Sequence, residues 1–580
     1  MLKRLAGFIG EYRIYFLLAP VLVIFESVAE LLLPMMMGKI VDYGINAKDT
    51  AYIIWMGLGM VAISLIGLLA GIYGAKFAAK FSQGYGYNVR RAIFDKIQTF
   101  SFADVDKFST ASLVTRTTTD VKTIQETAMQ TVRVLFRGPC MMLVSLGICL
   151  VQSWKLSLVF LIALPLMLAV VLSVMHFTRH LFLMMQAKVD GLNASVQENL
   201  IAIRVVKTFV RMEHEKSKFK VANDDLTKTA FSAVMRIIIM DPCTTFILNC
   251  TTLALYFIGG RMVGNEALQS GQLISFISYL NNVLMSVMMC SMVLTSMTRA
   301  RASVSRVMEV LDHTPDIIGK EEGSDERLKG EIEFKNVSFR YPQTDRKGMV
   351  LEDLSFKIPA GSFVAIVGAT GVGKTSMVNL IPRFYDATQG QVLVDGKDVK
   401  EYDLTHLREN IGMVLQNNVL FSGDIRENLK WGNENATDEI LLEATKDSQA
   451  YEFISKFPEG LDTAIDQGGV NVSGGQKQRL CIGRAMLKEP AILILDDSTS
   501  AVDSATEGRI CETFYNKYKD TTVLLIAQRI SSVQYADQII VLEKGRLNDM
   551  GTHDELMARC QVYQDIYDSQ QKGDTLDDGE

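Results

Sequence analysis

The chain has 580 residues, enough for several domains, and it combines 48% hydrophobic residues with only 21% charged ones. Its mean hydropathy of +0.17 is typical of a protein that is part membrane-embedded and part soluble. The formal net charge of −6 gives no reason to expect a nucleic acid as partner, because surfaces that bind nucleic acids are basic.

The first half of the chain contains apolar stretches that are long enough to cross a bilayer, which takes about 20 residues. We count six of them, at approximately 14–37, 53–75, 134–152, 156–177, 237–260 and 271–298. The long segments 76–133 and 178–236 between them are rich in lysine and arginine, whereas the short joints carry few basic residues. Because positive charge favours the cytoplasmic side, the long segments and both termini are predicted to be cytoplasmic.

Two features of these stretches could contact a bound molecule. Glu26 and Glu30 are four residues apart and share one face of the first helix, and a carboxylate within a membrane usually faces a cavity or a partner. A cationic ligand is one interpretation; internal pairing, or a position near the wet end of the helix, is slightly favoured. Met285 and Met289 would suit a permissive binding wall, and ordinary helix packing explains them equally well.

The composition changes after the sixth stretch. Residues 1–310 form the predicted membrane domain with its two long cytoplasmic loops, and residues 311–330 have the acidic, glycine-containing composition of a linker. Strands and helices alternate over residues 331–570, which predicts an α/β domain. The last residues, 571–580, form an acidic tail.

The motif with the clearest chemistry is Gly368-Ala369-Thr370-Gly371-Val372-Gly373-Lys374-Thr375, which fits G-x-x-x-x-G-K-[ST]. A buried-strand pattern precedes it and a helix-compatible segment beginning at Ser376 follows it. The glycines let successive backbone N–H groups turn toward one anion. Nucleotide phosphates are therefore predicted to bind at Gly368, Thr370, Gly371, Gly373, Lys374, Thr375 and Ser376. Lys374 can reach the β- and γ-phosphates, and Thr375 can hold Mg²⁺.

Two later stretches extend the predicted site. The apolar run from Ala491 to Leu495 ends in Asp496 and Asp497, and Asp496 is placed to hold Mg²⁺ beside the phosphate loop. The segment Ser473-Gly474-Gly475-Gln476 is a glycine turn that opens into a helix, a second terminus suited to an anion. Two such devices in one chain suggest two chains facing each other, each capping the nucleotide of the other.

With these motifs the chain resembles the half-transporter type of ATP-binding cassette (ABC) exporter over essentially its whole length. The resemblance implies an α-helical six-span transmembrane domain and an α/β P-loop nucleotide-binding domain that uses ATP and Mg²⁺. It also implies a location in the cell membrane, with the nucleotide-binding domain in the cytoplasm. The expected activity is ATP-driven export of a hydrophobic or amphipathic small molecule or peptide.

The resemblance also assigns residue roles. Tyr341 is expected to stack on adenine, and Gln416 to act as the glutamine that senses Mg²⁺. The segment Ser473-Gly474-Gly475-Gln476 matches the signature motif, which contacts the γ-phosphate of the partner's ATP, and Asp503 ends the D-loop that begins at Ser500. Segments near Ser109–Arg116 and Ile203–Met212 resemble coupling helices that dock on the nucleotide-binding domains.

Two positions depart from the family's pattern. The family has a glutamate after the Mg²⁺ aspartate, as the base that polarises the attacking water, and this chain has Asp497; Gln528 stands where the family has its switch histidine. A carboxylate pulled back by about 1.5 Å can cost roughly 10²-fold in rate, and glutamine adds no positive charge.

These departures predict a heterodimer in which Asp497, Gln528 and Gln416 belong to a slow, degenerate site. The intact signature motif of this chain would then complete the hydrolytic site of a second half-transporter. A homodimeric exporter with slow ATPase activity, and an ATP-gated channel or regulatory subunit, are the alternatives.

Overall fold

The computed structural model describes residues 6–319, 327–342, 348–498 and 501–577. Residues 320–326 of the predicted linker, Ser500 of the predicted D-loop and residues 578–580 of the predicted tail lie outside the described residues. The chain forms two compact units, Met1–Ile97 with Ala111–His313, and Gln98–Thr110 with Thr314–Glu580. The second unit therefore includes a short stretch from the first half of the sequence.

The first half of the chain is built from helices. They are α1 Arg13–Lys39, α2 Thr50–Gln98, α3 Phe102–Phe108, α4 Thr110–Thr115, α5 Val121–Gln152, α6 Trp154–Ile201, α7 Ile203–Thr208, α8 Met212–Ile238, α9 Met240–Gly264 and α10 Ser270–Asp312. Within the described chain, six helical segments are long and apolar enough to cross a membrane: Gly10–Ile45, Thr50–Gln98, Thr110–Gln152, Trp154–Val174, Met212–Gly264 and Ser270–Asp312. The six predicted spans are thereby confirmed.

The first unit is apolar both inside and outside. Its main buried cluster includes Leu31, Phe160 and Tyr279, and the hydroxyl of Tyr279 donates to the carbonyl of Leu31 at 2.8 Å. This hydrogen bond satisfies a polar group inside an apolar core. Leu161 and Ile162 are 73% and 74% exposed, which suits a surface in contact with lipid tails that are themselves apolar.

The second unit contains twelve described strands: β1 Ile332–Phe339, β2 Leu351–Ile358, β3 Phe363–Val367, β4 Gln389–Val394, β5 Lys397–Asp398, β6 Ile411–Val414, β7 Gly423–Asp424, β8 Ala464–Ile465, β9 Ile492–Asp496, β10 Thr522–Ile526, β11 Gln538–Glu543 and β12 Arg546–Gly551. The unit is organised around a six-stranded sheet of order β12-β11-β3-β10-β9-β6. Strand β10 pairs in parallel with both β3 and β9. All three of these strands are buried at every position, as expected when helices cover both faces of a parallel sheet.

The helices of the second unit after the linker are α11 Lys374–Asn379, α12 Leu404–Glu409, α13 Ile425–Lys430, α14 Asp438–Asp447, α15 Tyr451–Ile454, α16 Gly474–Met486, α17 Ser504–Lys517, α18 His553–Arg559 and α19 Gln561–Asp577. Because β3, β9 and β10 are parallel and adjacent, their carboxyl ends meet at one edge of the sheet. Ligands of open α/β sheets bind at this edge. The phosphate loop follows β3, the aspartate pair closes β9, and Gln528 follows β10.

Helix α3 packs on the remainder of the second unit. The Phe102 ring lies 4.4 Å from the Phe384 ring, centroid to centroid, and Ala103 belongs to the buried cluster around strands β1 and β3. The hydroxyl of Tyr385 donates to the Asp106 carboxylate at 2.9 Å. A close contact between tilted aromatic rings and a charge-assisted hydrogen bond thus fix this helix in place.

The docked helix begins earlier in the sequence than the coupling segment placed near Ser109–Arg116. Ser101 and Asp104 form a reciprocal capping box that starts a helix at Phe102, and the aromatic contact with the second unit comes from that first turn. The first docking segment is therefore Phe102–Phe108. In the segment Ile203–Met212 the structure has the short helix α7, and its docking stays a prediction.

Candidate nucleotide-binding site

The phosphate loop connects β3 to α11 and requires glycine at several positions. Gly368, Gly371 and Gly373 have φ values of +153°, +81° and +105°, in the range that favours glycine. A Cβ atom on Gly368 would lie 2.5 Å from the carbonyl oxygen of Leu542, and one on Gly373 would lie 2.7 Å from a Leu351 methyl carbon. Close packing and backbone conformation together explain the glycine pattern of the motif.

The lysine and threonine of the motif lie at the start of α11. The Lys374 ammonium donates to the carbonyls of Gly368 and Ala369 at 2.7 and 3.0 Å. Burial lowers the pKa of Lys374 from its usual value, while the nearby aspartates oppose that shift. An ammonium that donates to backbone carbonyls can exchange them for phosphate oxygens, which are stronger acceptors.

The residues around Asp496 have the chemistry of a magnesium site. Thr375 donates its hydroxyl to the Asp496 carboxylate at 2.9 Å, and Asp496 is 1% exposed. Burial raises the pKa of the Asp496 carboxyl, and the adjacent Asp497 raises it further, against the effects of Thr375 and Lys374. Hydroxyl and carboxylate oxygens beside a phosphate loop are the ligands Mg²⁺ uses together with nucleotide phosphates. These residues therefore fit the ion, which would neutralise charge on the β- and γ-phosphate oxygens.

Asp497 is contacted by two side-chain amides. The Gln528 amide nitrogen donates to its Oδ2 at 2.9 Å, and the Gln416 amide nitrogen donates to the same oxygen at 3.4 Å. The φ of Asp497 is +50°, a left-handed conformation that non-glycine residues seldom adopt and that is found at functional sites. The three residues predicted to be catalytic are therefore brought together by hydrogen bonds.

These groups line a cavity of about 650 Å³. Its wall includes Tyr341, residues of the phosphate loop from Gly368 to Ser376, both aspartates and both glutamines. The Tyr341 hydroxyl shares a hydrogen bond with the Ser376 hydroxyl at 2.9 Å, and its ring meets Tyr385 edge-on, 5.1 Å between centroids.

One side of the cavity comes from a helix that the sequence motifs do not indicate. Ile566, Ser569 and Gln570 of helix α19 also line it. This helix carries no nucleotide-binding motif, so only its position in the fold reveals the contribution.

The signature segment lies apart from that cavity, whose described lining contains neither Ser473–Gln476 nor Asp503. Ser473 caps helix α16 in a reciprocal box with Gln476, and a Cβ on Gly475 would lie 2.7 Å from the carbonyl of Ala501. Asp503 caps α17 by accepting from the Thr506 amide at 2.9 Å. Their separation from the phosphate loop agrees with a role toward a second chain.

The candidate substrate residues fall into two groups. Arg137 on α5 donates to Glu26 at 2.7 Å and to Glu30 at 2.6 Å, so the two carboxylates are paired internally. They also border a cavity of about 450 Å³ in the first unit. Met285 is 57% exposed on α10, whereas Met289 lies against Gly138 of α5, and neither methionine lines that cavity.

Comparisons with known proteins agree with this architecture. Residues 16–288 match the family described as ABC transporter transmembrane region, and residues 351–500 match the family described as ABC transporter. The chain is 37% identical over 570 residues to the uncharacterised ABC transporter ATP-binding protein YfiB of Bacillus subtilis, with 98% of each chain covered.

Two further similarities have more specific names. The ATP-dependent lipid A-core flippase of Syntrophus aciditrophicus is 32% identical over 523 residues, covering 90% of this chain and 86% of that protein. The solved structure of a bacterial Atm1-family ABC exporter with ATP bound has a TM-score of 0.82 at 24% identity, covering 97% of this chain and 99% of that one. At this identity, the similarity to the Atm1-family exporter shows the fold alone.

Proposed function

This chain belongs to the ABC transporter family as an ATPase-coupled exporter half-transporter, and from that premise we propose that it is one subunit of a heterodimer. Its own phosphate loop, aspartate pair and Gln528, together with the partner's signature motif, form a site that binds ATP and Mg²⁺ and hydrolyses ATP slowly. Its signature segment completes the partner's site, where most turnover occurs. ATP retained in the slow site keeps the two nucleotide-binding domains associated, and hydrolysis in the other resets the membrane domains through differential binding.

The hydrogen bonds at Asp497 carry this proposal. A general base must accept a proton from the attacking water, and the Oδ2 atom of Asp497 already accepts from the amides of Gln528 and Gln416. The aspartate is also one methylene shorter than the glutamate of the family. Gln528 can donate a hydrogen bond to a phosphate, but it cannot bring the positive charge that stabilises charge development on the transferred phosphoryl group.

We also propose that the cargo is a hydrophobic or amphipathic small molecule or peptide that reaches the protein from the bilayer. The exposed Met285 side chain, with Met289 one turn later on α10, offers an adaptable apolar wall. A relative named as a lipid A-core flippase is in keeping with an amphipathic cargo. Because Arg137 pairs with Glu26 and Glu30, the methionines are the better candidates for cargo contact.

The test introduces the family's glutamate and histidine at positions 497 and 528 of the chain expressed alone. The double variant Asp497→Glu with Gln528→His is expected to hydrolyse ATP about 100-fold faster than the wild type, measured as phosphate release by the purified full-length chain. Asp496→Asn in the same background should abolish the gain, because the Mg²⁺ ligand is lost while Thr375 keeps an acceptor. If the wild-type chain alone hydrolyses ATP as fast as the double variant, it is a working homodimer and the asymmetric scheme fails.

Transport separates the exporter from an ATP-gated channel or regulatory subunit. Vesicles containing the chain with its partner should build a cargo gradient against diffusion when ATP is supplied. A channel can only dissipate such a gradient. If no uphill accumulation occurs for any amphipathic probe that stimulates ATP hydrolysis, the exporter proposal fails.

A further inference from the structure

The last helix of the second unit, α19, is anchored firmly enough to act as a fixed support. The Tyr563 side chain is fully buried and its hydroxyl shares a hydrogen bond with the His553 ring at 2.8 Å. Ile566 and Tyr567, one turn further on, pack against the buried cluster around the central sheet. A helix held by a buried aromatic residue and apolar packing has little freedom to shift.

Gln570 extends from this helix to the loop that follows β10. Its side-chain oxygen accepts from the Ile530 amide at 2.8 Å, and its side-chain nitrogen donates to the Gln528 carbonyl at 2.7 Å. One glutamine thus holds the backbone on both sides of Arg529. We call residues 527–530 the switch loop. The pairing requires a side chain that both donates and accepts.

Side chains of the switch loop make further hydrogen bonds. Arg529 donates to the Ser504 hydroxyl at 2.6 Å, at the start of helix α17. The Gln528 side chain donates to Asp497 at 2.9 Å. A continuous series of hydrogen bonds therefore runs from helix α19 through Gln570 and the switch-loop backbone to the aspartate beside the phosphate loop.

We infer that Gln570 is a positioning residue for the nucleotide site, because it fixes the switch-loop backbone so that the Gln528 amide stays on Asp497. Helix α19 thereby helps to position the nucleotide site, in addition to packing against the rest of the domain. The inference goes beyond the proposed function, since it concerns this chain's own site and holds for a homodimer and a heterodimer alike.

The first experiment measures the contact directly, in the full-length chain. Gln570→Met keeps the side-chain length and apolar volume but removes both hydrogen bonds, so amide hydrogen exchange at Ile530 should accelerate about tenfold. Gln564→Ala is the matched control, because Gln564 lies on the same helix and donates to the Met557 carbonyl at 2.6 Å, away from the switch loop. Unchanged exchange at Ile530 in Gln570→Met would overturn the inference.

The second experiment asks whether the contact acts through Gln528. A fluorescent ATP analogue with Mg²⁺ should leave Gln570→Met about five to ten times faster than the wild type, while Gln564→Ala leaves the release rate unchanged. Gln570→Glu keeps the acceptor for the Ile530 amide and loses the donor, so its release rate should be intermediate.

A double-mutant cycle distinguishes positioning from general destabilisation. In a Gln528→Ala background there is no side-chain amide left to place, and Gln570→Met should then add little to the release rate. If the increases in release rate caused by Gln528→Ala and Gln570→Met multiply in full, Gln570 has a structural role only and the inference is wrong. The same conclusion follows if Gln564→Ala accelerates release as much as Gln570→Met.

Discussion

Glu26 and Glu30 on helix α1, and Asp496 and Asp497 at the end of strand β9, are both pairs of neighbouring carboxylates, but their partners differ in charge. The glutamates are bridged by the Arg137 guanidinium, so the protein supplies their countercharge itself. The aspartates accept from neutral groups, the Thr375 hydroxyl and the amides of Gln416 and Gln528, while the Lys374 ammonium lies on loop carbonyls.

The comparison shows which acidic pair is prepared for a ligand. A charge that the protein pairs internally contributes to structure, whereas the buried Asp496 carboxylate, which accepts from the neutral Thr375 hydroxyl and has a second carboxylate beside it, retains its attraction for a cation. By this criterion we expect the aspartates to form the binding site and the glutamates to belong to the architecture of the spans.

Replacing Arg137 should be the most damaging change. Arg137→Met leaves two partly exposed carboxylates without their countercharge inside a membrane span, where an uncompensated charged side chain costs about 3 kcal/mol. Thermal unfolding of the purified chain and its yield in membranes should both fall. Arg133→Met is the matched control, since Arg133 borders the same cavity and no ion pair is found for it among the described residues.

Removal of the charge from the glutamates should reverse the defect. The triple variant Arg137→Met with Glu26→Gln and Glu30→Gln is expected to recover the yield of the wild type, because no unpaired charge remains. If Arg137→Met instead folds normally and shifts transport toward cationic cargo, the glutamates belong to a substrate site and the comparison between the two acidic pairs fails.

Replacing Lys374 should weaken nucleotide binding without affecting the fold. Lys374→Ala removes a charge-assisted contact to phosphate, and the dissociation constant for ATP should rise about 100-fold, measured by fluorescent-nucleotide titration of the full-length chain. Lys477→Ala provides the control, because its ammonium donates to the Gly468 carbonyl at 2.7 Å outside the cavity. Equal affinities in Lys374→Ala and the wild type would exclude the phosphate loop as the binding site.

The smallest effect expected is a gain in stability from Asp496→Asn. Burial raises the pKa of Asp496 above its value in the unfolded chain, so the ionised carboxylate lowers the free energy of unfolding above that folded-state pKa, and the penalty disappears as the pH falls through it. At pH 7 without nucleotide, Asp496→Asn should melt roughly 2 °C higher than the wild type. Its additional stabilisation by Mg²⁺ and ATP should be lost.

Asp503→Asn is a control for which the change in melting temperature is expected to have the opposite sign. The hydrogen bond from Thr506 lowers the pKa of Asp503, so that carboxylate stabilises the fold above its unfolded-state pKa and the contribution is lost as the pH falls. The substitution should therefore lower the melting temperature at pH 7, if it changes it at all. A fall in melting temperature for Asp496→Asn would show that Asp496 is stabilised by the protein alone, contrary to the comparison.

The sequence predicts features whose residues are adjacent along the chain. The phosphate loop from Gly368 to Thr375 is one turn with a fixed geometry, and the six spans are continuous apolar runs. The family resemblance also assigns Asp497 and Gln528 to two motif positions, although the hydrogen bond between them depends on two parallel strands meeting at one sheet edge.

Features that depend on packing between distant segments were not predictable in this way. Arg137 lies inside a predicted span, yet nothing local indicates that it faces Glu26 and Glu30 on another helix. Gln570 contacts backbone groups 40 and 42 residues earlier in the chain, from a helix without a motif. The capping box at Ser101 can be read from the sequence, but its docking on Phe384 cannot.

The contact between Phe102 of helix α3 and Phe384 has a practical consequence for work with fragments of this protein. A fragment cut at the boundary after His313 would lack Phe102 and Ala103, and the ring of Phe384 and the apolar cluster beneath would be left in contact with water. Such a fragment should aggregate and be poorly soluble. Adding a synthetic peptide of residues 98–110, or fusing that peptide to the fragment, should restore a well-behaved soluble domain.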